Sequence, residues 1–207
     1  MEVRVLGALI EKEITTPEYY PLSLNALVNA CNQKSNRDPA VSYGEDDVDR
    51  TLESLRARGL ALRITGAGSR VPKHAHRLSE QLNPDRRETA ILCELMLRGP
   101  QTVGELRTHT ERMHRFDDTG EVEVVIERLM QREPEPLVVR LPRRPGEKEV
   151  RFAHLLSGAP DVAAMELPGA PTPRADRVGQ LEAEVARLRD ELESLKAQFA
   201  QFRRQFE

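Results

Sequence analysis

An internal repeat of about 75 residues constrains the fold of this chain more than any other feature of its sequence. Each copy has three segments in which apolar residues recur at helical spacing. Two short extended runs follow, separated by a turn that contains glycine. Three apolar positions of the third helix recur at a constant offset of 74 residues: Val48 with Val122, Leu52 with Ile126, and Leu55 with Leu129. Two copies of one pattern predict two successive domains of the same fold.

Local signals in the first copy mark the expected ends of its elements. The first helix is expected to end near Thr16, and Ser23 is of the residue type that caps a helix, here the second one. A third helix is predicted from Glu45 to Arg58, and Gly59 is the residue expected to follow its end. The runs LALRIT and RVPKHAHRL then predict a hairpin, with GAGS (66–69) at its turn.

The second copy carries equivalent signals. A helix is predicted to start at Asn83, and Thr102 with Glu105 forms a capping box before the next helix. A third helix is predicted from Glu121 to Arg132. The runs LVVRLPR and KEVRFAHLL predict a second hairpin.

These elements predict a mainly α fold with small β-hairpins, of the α+β class. Three helices followed by a two-stranded wing is the winged helix-turn-helix arrangement, so residues 1–82 and 83–156 are predicted to be two such domains in tandem. Residues 157–175 are dominated by Pro, Gly and Ala, which predicts a linker. A coiled-coil helix is predicted for residues 176–207.

The C-terminal helix carries an apolar residue at every third and fourth position in turn. The positions are Val178, Leu181, Val185, Leu188, Leu192, Leu195, Phe199, Phe202 and Phe206. This unbroken heptad stripe is too narrow for a helix packed on a globular body and is typical of a coiled coil. Parallel pairing matches opposite charges between g and e positions: Arg177 with Glu182, Glu184 with Arg189, and Glu191 with Lys196. A parallel homodimer through these nine apolar residues is therefore predicted.

The overall composition argues against several classes of protein. The formal net charge is -3, so any basic surface has to be local. Aromatic residues make up only 4% of the chain, which argues against a base-stacking platform or an aromatic cofactor pocket. Two cysteines without a CxxC motif suit a reducing compartment. The N-terminal apolar run contains charges, and no apolar stretch is long enough for a membrane span, so a cytoplasmic protein without membrane association is expected.

Motifs of enzymes and cofactor sites are missing from the sequence. There is no GxxxxGK[ST], no strand-GxGxxG-helix and no GxSxG pattern. His74 and His76 would share one strand face, but no third metal ligand lies near them in sequence. Cys93 fits a core position, and Cys31 fits a packed thiol, with a reactive role as its alternative. We therefore expect no enzyme activity, no cofactor and no metal.

The segment TTPEYYPLSLNALVNACNQKSNRDP, residues 15–39, closely resembles the characteristic segment of the YceH-like family of bacterial proteins. The stretches GPQTVGELR and LVVRLPRRPGEKEVRFAHL and the closing helix are similar to that family too. The resemblance covers roughly residues 2–158. It implies a tandem winged-helix fold and supplies no established activity or ligand.

Basic residues cluster on the two predicted hairpins, and acidic residues cluster where the third helices begin. Residues 54–79 contain basic residues and no acid. The third helices begin with EDDVD (45–49) and EVE (121–123). Acids there complement the helix dipole, but they repel phosphate where most winged helices enter the major groove. Major-groove reading by these helices is therefore not expected.

Two functions remain open from the sequence. In the first, the dimer is a regulator that associates with duplex DNA through the wings and the 32–39 loop. The residues proposed for contact are Asn32, Gln33, Lys34, Asn36, Arg37, Arg63, Arg70, Lys73, Arg140, Arg143, Arg144 and Lys148. In the second, the winged-helix surfaces are an adapter for an unidentified protein partner. Salt-sensitive binding to generic duplex separates the two.

Overall fold

The computed structural model of the chain describes residues 1–65, 71–143, 146–160 and 187. About half of this part is helical, and the strands form small antiparallel sheets. The predicted α+β class is therefore confirmed. No helix within the described ranges has both the length and the apolar character needed to cross a membrane.

The first half of the body contains three principal helices and a three-stranded sheet. Its elements are α1 (Glu2–Thr15), β1 (Leu22–Ser23), α2 (Leu24–Cys31), α3 (Glu45–Ala57), β2 (Ala61–Ile64) and β3 (Lys73–His76). The strand β3 lies in the middle and pairs antiparallel with both β1 and β2. Ser23 caps α2 as predicted, because its hydroxyl accepts a hydrogen bond from the Ala26 N–H at 3.3 Å. Gly59 follows α3 with a φ of +71°, the left-handed conformation expected after a helix end.

The second half repeats this order of elements. A short helix that the sequence analysis missed, α4 (Leu78–Leu82), leads into it. Its other elements are α5 (Arg86–Arg98), α6 (Val103–His109), α7 (Thr119–Met130), β4 (Val138–Arg140) and β5 (Phe152–His154). The strands β4 and β5 pair antiparallel, and Gln101, just before α6, forms an isolated bridge with Phe152.

The start of α5 differs from its prediction. Asn83 was predicted to begin this helix, but it follows α4 in a left-handed conformation with a φ of 42°. Asp85 caps α5 instead, since its carboxylate accepts from the Glu88 N–H at 2.8 Å and the Glu88 side chain accepts from the Asp85 N–H at 2.9 Å. The helix therefore begins at Arg86.

The starts of α6 and α7 follow the same physical rule. Thr102 and Glu105 form the predicted capping box before α6. Asp118 caps α7 by accepting from the Glu121 N–H at 2.9 Å, so that helix begins at Thr119, two residues before the predicted start.

The core joins the two copies through α1 and α5. Residues 1–165 form one compact unit. Every residue of α1 from Arg4 to Glu11 is buried, because α1 contacts α2 and α3 as well as α5. Gly7 allows the close approach to α5, since a Cβ there would lie 3.0 Å from the Leu97 Cδ2 atom. The apolar positions that repeat between the copies all face this core: Val48, Leu52, Leu55, Val122, Ile126 and Leu129.

The C-terminal predictions fall outside the described part of the chain. The nine heptad residues from Val178 to Phe206 and the linker positions after residue 160 belong to it. The parallel coiled coil and the linker stay predictions.

Candidate functional site

The 32–39 loop is tied to the body by a buried ion pair between Arg37 and Glu11, a residue of α1. Both side chains are fully buried, at 0% exposure. The Arg37 Nη2 and Nη1 atoms donate to the two Glu11 carboxylate oxygens at 2.6 and 3.2 Å. Arg37 also donates to the Ala30 carbonyl from Nε and Nη2. Its guanidinium therefore has no surface to offer a phosphate, although the sequence suggested that contact.

Asn36 joins this ion pair to α5. Its amide nitrogen donates to Glu11 Oε1 at 3.1 Å and to Glu94 Oε1 at 3.0 Å. Its amide oxygen accepts from Arg98 Nη1 at 2.8 Å, and Arg98 Nη2 lies 3.1 Å from the His109 ring. The backbone of Asn36 is left-handed, with a φ of 56°. The two halves of the body thus meet at a buried polar cluster, which we define as Glu11, Asn36, Arg37, Glu94 and Arg98.

The pKa values of the two carboxylates in the buried polar cluster are shifted in opposite directions. Burial favours a raised pKa for Glu11, but hydrogen bonds and positive charge from Arg37 outweigh it and hold that pKa below its ordinary value. Burial raises the pKa of Glu94 to about 7, because hydrogen bonding by Asn36 and the charge of Arg98 compensate only in part. Glu94 Oε2 is buried without a hydrogen-bond partner among the described residues, as a protonated carboxyl would tolerate best.

The remaining candidates of the loop divide between structural and exposed positions. Asn32 closes the loop, since its side chain donates to the Tyr43 carbonyl at 2.9 Å and accepts from the Tyr43 N–H at 2.8 Å. Gln33 is partly exposed and Lys34 is exposed. Lys34 is therefore the cation that the loop presents to solvent within the described ranges.

The first hairpin presents Arg63 on β2 and Lys73 on β3. Arg63 is exposed and Lys73 is partly exposed, and neither forms an ion pair with a described residue. The other described arginines of residues 54–79 are each paired with an acid: Arg56 with Glu53, Arg58 with Glu2, and Arg77 with Glu80. Arg70 lies outside the described residues.

The second hairpin presents Arg140, Arg143 and Lys148. All three are exposed and form no ion pair with a residue that the structure describes. Arg151 differs, because it is bound to Glu105 at 2.6 Å. Arg144 lies outside the described ranges.

The third helices present acidic surface. Glu45 and Asp46 are exposed at the start of α3. On α7, Glu123 and Glu127 are exposed, and between them Val124 is 62% exposed. The acids that the sequence places here therefore face solvent.

The histidine and cysteine side chains show no reactive arrangement. His76 Nε2 lies 2.8 Å from Glu13 Oε2, while its Nδ1 accepts from the Leu78 N–H. No group of three or more potential metal ligands occurs within the described part of the chain. Burial raises the pKa of the Cys31 thiol to about 12 and that of Cys93 well above its ordinary value. Protonated, buried thiols are poor nucleophiles, so the packed role fits both cysteines.

Sequence comparison relates this architecture to a protein family. Residues 1–147, which include the first copy of the repeat and most of the second, match the family described as "Protein of unknown function, DUF480". The chain belongs to the DUF480 family. The resemblance to an uncharacterised bacterial family is thereby confirmed.

Close relatives of this DUF480 chain extend over its whole length. A "UPF0502 protein" of Geotalea uraniireducens is 56% identical over 216 residues, covering 100% of this chain and 97% of the relative. One of Solibacter usitatus is 54% identical over 209 residues, covering 100% and 96%. One of Geobacter sulfurreducens is 53% identical over 214 residues, covering 100% and 97%.

The DUF480 match contains every member of the buried polar cluster, which sequence reasoning missed as a unit. Glu11 directly follows the apolar Ile10 within a run of buried residues, and Glu94 lies between Cys93 and Leu95. A carboxylate inside an apolar stretch is the signal that a buried ion pair gives in sequence. The sequence does not identify the partners of these carboxylates, because Arg37 lies 26 residues from Glu11 and Asn36 lies 58 residues from Glu94.

Proposed function

We propose that this DUF480 protein is a non-catalytic, DNA-associated regulator, built from two winged-helix units and dimerised by its C-terminal helix. The order of elements supports the winged-helix interpretation, since α1–α3 precede β2 and β3 just as α5–α7 precede β4 and β5. The observation that carries the DNA proposal is that both hairpins expose cations with no ion pair to a residue that the structure describes. Those cations are Arg63, Arg140, Arg143 and Lys148, with Lys73 partly exposed.

Phosphate contact by the hairpins explains the surface charge better than base reading by the third helices. Exposed arginines and lysines donate to phosphate oxygens without regard to sequence. The acids at the start of α3 and on α7 disfavour close approach of those helices to the duplex. The proposed binding mode is therefore electrostatic, salt-sensitive and led by the hairpins, with Lys34 as an additional contact.

Dimerisation strengthens such weak contacts. A parallel coil through Val178–Phe206 brings two bodies, each with two basic hairpins, to one duplex. Linked binding sites raise the overall affinity without any new contact. The Pro- and Gly-containing linker gives each body the reach to engage independently.

The test measures duplex affinity against salt concentration by fluorescence anisotropy. Replacing two phosphate-contacting cations in Arg63→Gln/Lys73→Gln is expected to flatten the slope of log affinity against log salt by about 2 for each bound chain. It should weaken binding to all sequences alike. The matched control, Arg63→Lys/Lys73→Arg, keeps both charges and is expected to keep the slope. An unchanged slope in the glutamine variant contradicts hairpin contact.

The same assay examines the acidic helices. Asp46→Asn/Asp47→Asn is expected to strengthen non-specific binding, because it removes repulsion next to the duplex. It also costs a few tenths of a kcal/mol, roughly the helix-dipole contribution, so thermal melting is followed in parallel. Absence of any duplex binding at low salt rejects the DNA proposal.

A second candidate function is a protein adapter, favoured by the exposed Val124. This side chain is 62% exposed on α7 between two exposed glutamates. Under this alternative, a partner with an apolar centre and basic rim binds α7. Affinity capture from a bacterial extract, with Val124→Arg as the matched control, distinguishes such a partner from background.

A further inference from the structure

A cleft in the second half of the body is lined by three arginines and a histidine together with three carboxylates. It is an open groove of about 430 Å³ beside the first turn of α5, the connection between α6 and α7, and the first turn of α7. Its lining residues are Asp85, Arg86, Arg87, His114, Arg115, Asp117 and Glu121. No described residue of the hairpins lines it, so its described lining is distinct from the cations assigned above to DNA.

Two of the three lining carboxylates are engaged by the protein itself. Asp85 accepts from the Glu88 N–H at 2.8 Å and from Arg128 Nη2 at 3.2 Å. Glu121 accepts from the Asp117 N–H at 3.0 Å. Both carboxylates keep their charge in the cleft, but their hydrogen bonds go to Glu88, Arg128 and Asp117 and not to Arg86 or Arg115.

Two arginines of the cleft have no partner among the described residues. Arg86 and Arg115 are exposed, and neither forms a hydrogen bond or ion pair with a described residue. Arg87 Nε lies 4.0 Å from Asp85 Oδ2, at the outer limit of an ion pair. His114 is partly buried and held edge-on to Phe116, with ring centroids 4.7 Å apart. Two guanidinium groups and an imidazole thus border a space of the size that small ligands occupy.

We propose that this cleft binds a phosphate ester, with Arg86 and Arg115 as its principal donors and His114 as a further one. The planar fork of arginine matches the oxygens of a phosphate in a bidentate manner. The helix terminus of α5 is not the source of affinity, because Asp85 and Glu88 already cap it. Asp117 opposes the ligand, since its carboxylate forms no hydrogen bond or ion pair with a described residue and Asp117 lines the same cleft.

Two sources supply this chemistry, namely the backbone of a duplex and a small phosphorylated molecule. In the first case the cleft extends the proposed DNA surface and rests on that function. In the second case it is an independent ligand site on the same body. The experiment therefore uses one probe for each source.

The first probe is inorganic pyrophosphate, followed through the NMR signals of the His114 ring at low salt. The expected result is a saturable shift in the unmodified full-length protein and in the hairpin control Arg140→Gln/Lys148→Gln. Affinity should fall about tenfold or more in Arg86→Gln/Arg115→Gln, which removes two charge-assisted donors. Asp117→Asn should bind several times more tightly. No saturable shift, or equal affinity in the Arg86/Arg115 variant, overturns the proposal.

The second probe is a short duplex, tested with the same variants by anisotropy. Weaker duplex binding in both the cleft variant and the hairpin variant identifies backbone phosphate as the source. If pyrophosphate binds but no duplex does, the ligand of the cleft is a small phosphate ester. That result rejects the DNA function and keeps the cleft proposal. If the cleft variant binds the duplex as tightly as the unmodified protein, and pyrophosphate gives no response, the phosphate site in the cleft is rejected. The proposed DNA function is not contradicted by that result. Arg115→Gln alone, outside the helices, repeats each measurement if the double variant melts early.

Discussion

At the scale of single residues, the buried polar cluster is the most consequential feature of this protein. It places two carboxylates on one amide group, with Asn36 donating to both Glu11 and Glu94. Glu11 is balanced by Arg37, whereas Glu94 has one oxygen without a partner among the described residues. The two acids therefore contribute oppositely to stability as pH changes.

Replacing Glu94 is expected to remove a pH dependence of folding. Its pKa is raised to about 7 by burial, with Glu11 raising it further and Asn36, Arg98 and Arg112 lowering it. Between the ordinary glutamate pKa and about 7, the folded state keeps a proton that the unfolded state releases. The free energy of unfolding therefore falls as pH rises through this range, and Glu94→Gln should be more stable than wild type by about 1–3 kcal/mol at pH 8.

Urea unfolding at pH 5 and pH 8 measures this difference. At pH 5 the two proteins should have nearly equal stability, because Glu94 is protonated in the folded state and glutamine resembles it in charge. Glu123→Gln, an exposed substitution on α7, is the matched control and should show no such change. An equal stability difference at both pH values contradicts the assignment of the proton to Glu94.

Removing Arg37 is expected to be severe. Arg37→Ala leaves Glu11 buried with its main partner gone and with Arg112 Nη2, at 2.8 Å, as its closest remaining cation. We therefore expect a loss of about 3 kcal/mol, the lower end of the cost of breaking a buried ion pair. Lys34→Ala, three residues away but exposed, should change stability by no more than about 0.5 kcal/mol. Glu11→Gln/Arg37→Met should recover part of the loss, because it removes both charges. Thermal melting of the four proteins checks the order, and a loss below about 1 kcal/mol in Arg37→Ala would show that the loop is not held by this pair.

At the scale of elements, the crossing of α1 and α5 sets the architecture. Both helices have long buried stretches, and their contact joins the two copies of the repeat. The crossing is close at Gly7, whose carbonyl oxygen lies 3.3 Å from the Cys93 sulfur. A small residue at this position is therefore a packing requirement rather than a matter of helix propensity.

Two helical glycines allow this requirement to be isolated. In Gly7→Val, the new Cβ would lie 3.0 Å from Leu97 Cδ2 and 3.2 Å from Met96 Cβ, so we expect a loss of about 1–3 kcal/mol from overpacking. In Gly104→Val on α6, the nearest side-chain atom is Thr102 Oγ1 at 4.0 Å, and stability should stay within about 0.5 kcal/mol. Denaturant midpoints compare the two variants. Equal effects would mean that helix propensity, and not the crossing, governs Gly7.

At the scale of the whole molecule, residues 1–165 form one compact unit, and the segment predicted to form a heptad helix lies after it in the sequence. The body exposes basic hairpins, acidic third helices and an arginine-lined cleft. The predicted parallel dimer would present two copies of each of these surfaces.

The coil prediction is tested by disulfide cross-linking. Leu181→Cys, at the d position of the first heptad, should join two chains of a parallel dimer under mild oxidation. Cys31 and Cys93 are buried, so they should not compete in the native protein. A chain that lacks residues 174–207 should stay folded and monomeric in light scattering, because the compact unit ends before that segment. A full-length protein that is monomeric at micromolar concentration rejects the dimer.

Local sequence signals predict the class of the fold, the order of its principal helices and hairpins, the caps at Ser23 and Thr102, and the apolar faces. The local sequence predicts the roles of Ser23, Thr102 and Gly59, because each residue caps or ends a helix only a few residues away. The spacing of apolar residues likewise predicts which side of a helix or strand is buried.

Which polar residues remain available for binding depends on how the helices pack, and local sequence does not reveal it. The sequence does not distinguish the polar residues Lys34, Asn36 and Arg37 of one loop. In the structure Lys34 is exposed, whereas Asn36 and Arg37 bind acids on α1 and α5. The cleft around Arg86 and Arg115 likewise brings together segments far apart in the chain. The physical reason is range: capping and periodicity act between neighbours in sequence, whereas ion pairs and clefts depend on how the helices pack.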